Sequence, residues 1–370
     1  MLGAVIPLTG RYAAIGAQVR IAYELAVEDV NANGGVDMNG VRRPLALRVL
    51  DDESDPQKTV QHLETLNSVD HVAIYLGGAG SDLHAAGAAI GDKNRIPYVG
   101  VGFALYEIHQ RGLKYLFSPF VKSPALAEAT IELMNSLPQA ERPARIAIFH
   151  ERTDWGIEMA RDWTQLGTRN DYEVVVDEEY AVGRKDFSDI ILKAKAARAD
   201  AAFATPNPPD GIAIIKQMKE LDFSPKMIMF YRGADAVQWA ENLGKDGDYV
   251  ITAPGWHYTS SYPGAAELNR KHQTRYGRQA DSVVGPGYAM VQIIADALRR
   301  AGSIDGAATR DALAQTDLMT VMGPVKFNPD GTGIVEVLFP QWQNGKQELV
   351  WPREQATASF AYPAPPFAQR

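Results

Sequence analysis

The strongest constraint on this chain is an alternation. Short apolar runs at 2–6, 45–50, 72–76 and 97–101 are separated by amphipathic stretches at about 16–32, 56–68 and 82–94. Strands joined by a helical crossover run in the same direction, so this pattern predicts βα units around a parallel sheet. The first run, LGAVI, turns through Pro7-Leu8-Thr9-Gly10 into a helix that buries Ile21, Leu25, Ala26 and Val30 and stops at Gly34-Gly35. Asp51-Asp52-Glu53-Ser54-Asp55-Pro56 is an acidic turn into the next helix. Pro56 suits a first helical turn, and the carboxylates suit the positive helix end. The third and fourth runs end in Gly77-Gly78-Ala79-Gly80-Ser81-Asp82 and Gly100-Val101-Gly102-Phe103.

A second series begins near residue 119. It predicts a helix at 124–136, strand 145–149, a turn at 150–156 and a helix to about Gly167, then strand 173–180, helix 187–198, strand 201–204, helix 210–221, strand 227–231, helix 234–243 and strand 249–253. Helices near 263–276, 286–301 and 305–315 follow without strands between them, and β segments at 324–327, 334–343 and 347–351 close the pattern, with Asn328-Pro329-Asp330-Gly331 as a turn. The last residues, AYPAPPFAQR, hold too much proline for a helix or a central strand and are expected to form an extended surface tail. The fold class is therefore α/β, with two similar doubly wound domains between which the chain crosses several times.

Composition narrows the function. At about 150 residues per domain, the 370 residues suggest two domains. Thirty-seven basic against 45 acidic side chains give a formal charge of −8, which argues against a nucleic-acid partner. The absence of cysteine excludes disulfides, thiolate metal sites and cysteine nucleophiles. No apolar run approaches the ~18 residues of a membrane span. There is no G-x-S-x-G, P-loop or H-E-x-x-H motif. Gly100-Val101-Gly102 lacks the third glycine of a dinucleotide fingerprint, since Leu105 stands in its place. The seven histidines are scattered singly. No metal or cofactor is expected, and the business of the chain is with a small molecule. Residues 2–8 already read as a buried strand, so the protein is either cytosolic or exported with a targeting segment removed.

The order of landmarks carries a resemblance. Pro7-Leu8-Thr9-Gly10 is followed by Gly16-Ala17, Glu28-Asp29-Val30-Asn31, Gly34-Gly35-Val36, Asp51-Asp52, Asp55-Pro56, Gly77 to Ser81 and Ile96-Pro97-Tyr98-Val99, then by Asp154-Trp155-Gly156, Asp186-Phe187, Val325-Lys326-Phe327 and Gly331. Over nearly its whole length the sequence resembles the type I periplasmic solute-binding proteins of the branched-chain amino acid ABC-transporter kind. The resemblance implies two Rossmann-like lobes joined by three crossovers, here near 118–121, 252–256 and 324–332. Residues 1–119 with 254–324 would form one lobe, and 120–253 with 325–370 the other. It also implies a ligand in the inter-lobe cleft with hinge closure around it, no catalysis, a periplasmic monomer, and an inner-membrane permease as partner. In this setting the lack of cysteine suits an oxidising compartment.

The family grips a ligand carboxylate with the turns after the third and fourth strands, which carries over to Gly80, Ser81, Gly102 and Phe103. Glycines expose backbone N–H groups and Ser81 adds a hydroxyl, unless it serves only as a helix cap. Phe103 departs from the small or hydroxyl residue of the family, and would stack on a ligand or fill core. Tyr12 falls in the first turn, at the cleft mouth. Trp155 stands where the amino acid binders carry a tyrosine, on what reads as an exposed loop, with His150 just before it. Amino acid binders place an acidic residue after the strand matching 227–231; here the local sequence is Tyr231-Arg232-Gly233-Ala234-Asp235. Arg232 offers a fork for a carboxylate or phenolate, with a surface arginine as its plain reading. Asn207 offers an amide, and Tyr231 and Trp256 further rings. Together these residues suggest a cleft for a flat ring and a carboxylate ligand of the benzoate or phenylpropanoid type. The alternatives are a branched-chain or aromatic amino acid using Asp235, a ligand-sensing regulator of the same fold, or an enzyme that turns its ligand over.

Overall fold

The computed structural model describes residues 1–235 and 238–370. The chain divides into two compact units: residues 1–122 with 260–336, and residues 123–259 with 337–370.

The first unit is built on a parallel sheet in the order Leu47–Asp51, Leu2–Ile6, Ile74–Leu76, Tyr98–Val99, Leu116–Phe117. Leu2–Ile6 is buried along its whole length, as a strand covered by helices on both faces must be, which is why its residues read as a continuous apolar run. The helix Ala13–Ala32 lies against the helix Val284–Ala301, and Gly287 permits their close approach, since a Cβ there would lie 2.7 Å from that of Ala22. A hairpin, Val36–Met38 with Val41–Arg43, and the strand Asp317–Thr320 have no counterpart in the sequence reading, whereas the partner of that strand, Gly323–Phe327, matches the β segment expected at 324–327. The hairpin strands and Asp317–Thr320 are short and partly exposed, with an apolar alternation too brief to register.

The second unit has the strand order Lys346–Trp351, Phe339–Gln343, Val250–Ile251, Met227–Phe230, Ala201–Ala204, Arg145–Glu151, Glu173–Tyr180. The last five are parallel and the first two add an antiparallel edge. The helix expected at 234–243 is seen as Gln238–Leu243; its expected start runs through 236 and 237, outside the described residues. The C-terminal tail is docked rather than free. Phe367 is buried, Ala364 donates its N–H to the Lys226 carbonyl, and Gln341 bonds through its side chain to Ala361 in both directions.

The chain leaves one unit for the other at 122/123, 259/260 and 336/337, against the expected 119/120, 253/254 and 324/325. Residues 325–336 stay with the first unit for a physical reason. Ser118 donates to the Gly331 carbonyl at 2.9 Å and accepts from Gly333 at 2.8 Å, which ties this segment to the edge strand Leu116–Phe117.

Strand order locates a special place in each unit. In the first, the chain moves from Leu2–Ile6 outward to Leu47–Asp51 and then returns to the other side with Ile74–Leu76. In the second, it moves from Arg145–Glu151 to Glu173–Tyr180 and returns with Ala201–Ala204. Adjacent helices then pack on opposite faces and leave a crevice at the carboxyl ends of the two central strands, the usual ligand position of an open α/β sheet.

Candidate functional site

At the first switch point the structure gathers Tyr12, Gly80, Ser81, Gly102 and Phe103. Gly80 has φ +100°, and a Cβ on it would lie 2.5 Å from the Tyr12 ring, so only glycine fits. Its N–H donates to the Gly102 carbonyl at 3.1 Å, joining the two glycine turns. Tyr12 is buried over this turn with Ala79 and Leu83, and its hydroxyl donates to Asp82 at 3.1 Å. Arg11 reaches the other Asp82 oxygen at 3.0 Å and lies 4.3 Å above the Tyr12 ring. The helix begins at Ser81 with Gly80 as its cap residue, so Ser81 is a first-turn residue and not the N-cap. That corrects its plain reading and leaves the hydroxyl on the partly exposed rim.

Phe103 does not present a face for stacking. Its ring lies 4.3 Å from that of His84 and 5.8 Å from that of His109, and Lys122 Nζ sits 3.5 Å from its centroid. Lys122 also donates to the Phe103 carbonyl at 2.9 Å and to Ser118 Oγ at 2.8 Å. The expectation of ligand stacking is therefore corrected to packing, because groups from three other segments surround the ring. His84 Nδ1 donates to the Gly80 carbonyl at 2.7 Å and His109 Nδ1 to that of Asp330 at 2.9 Å. Burial pushes both imidazoles down to about 3, with the nearby Lys122 cation acting in the same direction.

At the second switch point the structure gathers His150, Trp155, Asn207 and Arg232 around Glu151, which sequence reasoning missed. Glu151 is wholly buried; it accepts from Asn207 Nδ2 at 2.7 Å and from Arg232 Nη2 at 3.0 Å. Arg232, at φ +67°, also donates to the carbonyls of Thr205 at 3.1 Å and Pro206 at 3.2 Å. Its side chain is 15% exposed, so it is neither the surface arginine of the plain reading nor a fork held ready for an anion. The only sequence signal for Glu151 is its place at the end of a continuous apolar strand.

Trp155 is corrected as well. It is the second residue of the helix Asp154–Arg169 and is 7% exposed, not a loop aromatic in water. Its ring lies 4.7 Å from the Arg232 guanidinium, and its Nε1 has no hydrogen-bond partner among the described residues. Thr153 caps this helix, and Gly156 is obligatory because a Cβ there would lie 2.1 Å from the Glu151 carbonyl oxygen. Asn207 caps the helix Pro208–Glu220 in position, but its side chain makes no cap bond and its Oδ1 has no partner among the described residues. His150 Nε2 lies 3.3 Å from Asp177.

The other two ring residues leave this cluster. Tyr231 is core: its hydroxyl pairs with Thr130 Oγ1 at 2.5 Å, and its ring lies 5.2 Å from Trp163 and 6.0 Å from Phe339. Trp256 is fully buried. Asp235 accepts from the Thr252 hydroxyl, and its main-chain carbonyl accepts from Gln347 at 3.0 Å.

Among the described residues no helix is long and apolar enough to cross a membrane. A sequence family described as Periplasmic binding protein matches residues 1–347. The Leu/Ile/Val-binding protein homolog 7 of Brucella abortus (strain 2308) is 25% identical over 380 aligned positions, covering 98% of this chain and 94% of that one. In three dimensions the chain is similar to a leucine binding protein, LivK, of Thermotoga maritima, at a TM-score of 0.85 and 21% identity over 94% of this chain and 97% of that one. It is also similar to an ABC transporter solute binding protein of R. palustris solved in complex with benzoate, at 0.83 and 18% over 94% of each chain. The fold is thus that of the type I periplasmic binding proteins. With the family match running through both units, this chain belongs to the periplasmic binding protein family.

Proposed function

We propose that the chain is the substrate-binding component of an ABC uptake transporter. In this reading it captures a small carboxylate, an aromatic acid of the benzoate or phenylpropanoid type, by hinge closure of its two units. It works in the periplasm as a monomer and delivers its ligand to an inner-membrane permease. The observation that carries the ligand class is the engagement of Glu151, whose oxygens take Asn207 Nδ2 and Arg232 Nη2. A carboxylate balanced in this way is a poor counter-ion for an α-ammonium, and a buried ammonium without one is costly. The glycine turns of the first unit, with the helix that starts at Ser81 behind them, suit the carboxylate end of a ligand. The benzoate complex of the R. palustris protein supports the aromatic-acid reading by likeness of fold.

A second reading, a branched-chain amino acid, is favoured by the name of the Brucella abortus relative and would need Asp235 for the ammonium. A thermal-shift panel separates the two. A ligand at 100 times its dissociation constant stabilises by about 2.7 kcal/mol. Benzoate or 4-coumarate is expected to raise the melting temperature while leucine and phenylalanine leave it unmoved. The reverse pattern sinks the aromatic-acid reading.

A further inference from the structure

Several buried polar atoms at the second switch point, His150 Nδ1 and Thr205 Oγ1 among them, lack partners among the described residues, and two of them, Trp155 Nε1 and Asn207 Oδ1, are complementary. Trp155 Nε1 is a donor only. The amide of Asn207 is oriented by its neighbour: Nδ2 must face the Glu151 carboxylate at 2.7 Å, so Oδ1 is turned the other way as an acceptor. Both side chains are more than nine-tenths buried, at 7% and 8% exposure. Both are also fixed by one ion pair, Asn207 through Glu151 and Trp155 through the Arg232 guanidinium 4.7 Å from its ring. Both stand at the first turns of helices at the carboxyl ends of the paired strands Arg145–Glu151 and Ala201–Ala204, where an open sheet receives its ligand.

Native interiors rarely leave such groups unmatched. The smallest ligand group that accepts from an indole N–H and donates to an amide oxygen is a hydroxyl. A second carboxylate would meet the acceptor Oδ1 and the buried Glu151 charge, and a methyl or halogen would leave both atoms unsatisfied. We propose that the second unit reads a ring hydroxyl, with Trp155 Nε1 donating to it and Asn207 Oδ1 accepting from it, so that the ligand is a hydroxylated aromatic acid. This rests on the aromatic-acid reading above and refines it. A site with buried polar groups placed for a hydroxyl rejects the analogue that lacks it far more strongly than an apolar pocket rejects an added one.

The test is calorimetric titration of the full chain with two matched pairs, benzoate against 4-hydroxybenzoate and cinnamate against 4-coumarate. The hydroxylated member of at least one pair is expected to bind tenfold or more tightly than its partner. Trp155→Phe keeps an aromatic ring beneath Arg232 and removes the indole N–H together with the rest of its five-membered ring. It should shrink that ratio at least fivefold. Tight binding of both members with a ratio near one overturns the proposal and spares the aromatic-acid reading. A ratio that survives Trp155→Phe unchanged also overturns it, and would mean that water or another group satisfies the indole. Binding of leucine with none of the four acids removes both readings together.

Discussion

The two switch points are built in opposite ways. That of the first unit is made of backbone: Gly80 at φ +100° bonded to Gly102, with Tyr12 laid over the turn and Phe103 locked among His84, His109 and Lys122. That of the second unit is made of side chains: the buried Glu151–Arg232 pair, with Trp155 and Asn207 hung on it. A rim of backbone N–H groups offers one chemistry, donation to an anion, whatever side chains surround it. A rim of side chains changes its chemistry with each substitution. On the reading proposed here, the first unit recognises what all ligands of this fold family's carboxylate type share, and the second sets which ligand is taken. Each half predicts a different response to mutation.

The largest response is expected at Glu151. Removing one partner of a buried ion pair strands the other charge, which typically costs about 3–5 kcal/mol. Glu151→Ala removes the carboxylate that takes Arg232 Nη2 and also the acceptor of Asn207 Nδ2. Urea denaturation should show a loss of that size. The double variant Glu151→Leu with Arg232→Met should recover most of it, because both members of the pair are then removed together. A double variant no more stable than the single one would mean that the pair serves packing rather than charge balance.

In the first unit the sensitive position is Gly80. An alanine there meets both a positive φ and the Tyr12 ring, with roughly 1–3 kcal/mol of strain. Gly80→Ala should weaken ligand binding at least tenfold, because moving the turn moves the N–H groups it aligns. Ser81→Ala, a change of side chain alone on the same rim, should change binding by less than threefold. Equal losses in both variants would break the contrast between a backbone rim and a side-chain rim.

How much of this was legible follows from what each feature depends on. The βα alternation, the helix starting beside Gly80 and the Asp154-Trp155-Gly156 turn are local. Period, caps and glycines mark them, and the structure has them within a few residues. The closeness of Gly156 to the Glu151 carbonyl gives the physical reason for the glycine in that landmark. The Glu151–Arg232 pair joins residues 81 positions apart, and nothing in either neighbourhood announces it. Phe103 looked free to face a ligand because the groups that enclose it come from the helix Ser81–Asn94, from Glu107–Gln110 and from the end of the unit's first segment. Tyr231 likewise meets Thr130, about a hundred residues away. Aromatic residues at strand ends are ambiguous for this reason: the face they show is decided by tertiary neighbours.

The smallest effect concerns acid. His84 and His109, both in the first unit, are held neutral by burial, with folded values of about 3 against an ordinary value of 6.5. In the second unit His257 is lowered to about 4 by the same cause. A histidine depressed in the folded state binds its proton more readily when unfolded. Its stabilising contribution is therefore complete above pH 6.5 and is lost as the pH falls from there towards the folded value, by about 1.4 kcal/mol per pH unit for each histidine. Asp52 opposes them. Burial raises it from 3.8 to about 6, so the folded state holds its proton more tightly and stability falls as the pH rises through that window. The histidines outnumber it, so stability should decrease on going from pH 6 to pH 4.5 in urea titrations. His109→Gln should flatten that slope by about 1.4 kcal/mol per pH unit, whatever it does to stability at neutral pH. A slope unchanged in that variant would mean that the imidazole is protonated in the folded protein, and that the column of rings holding Phe103 is a charged one.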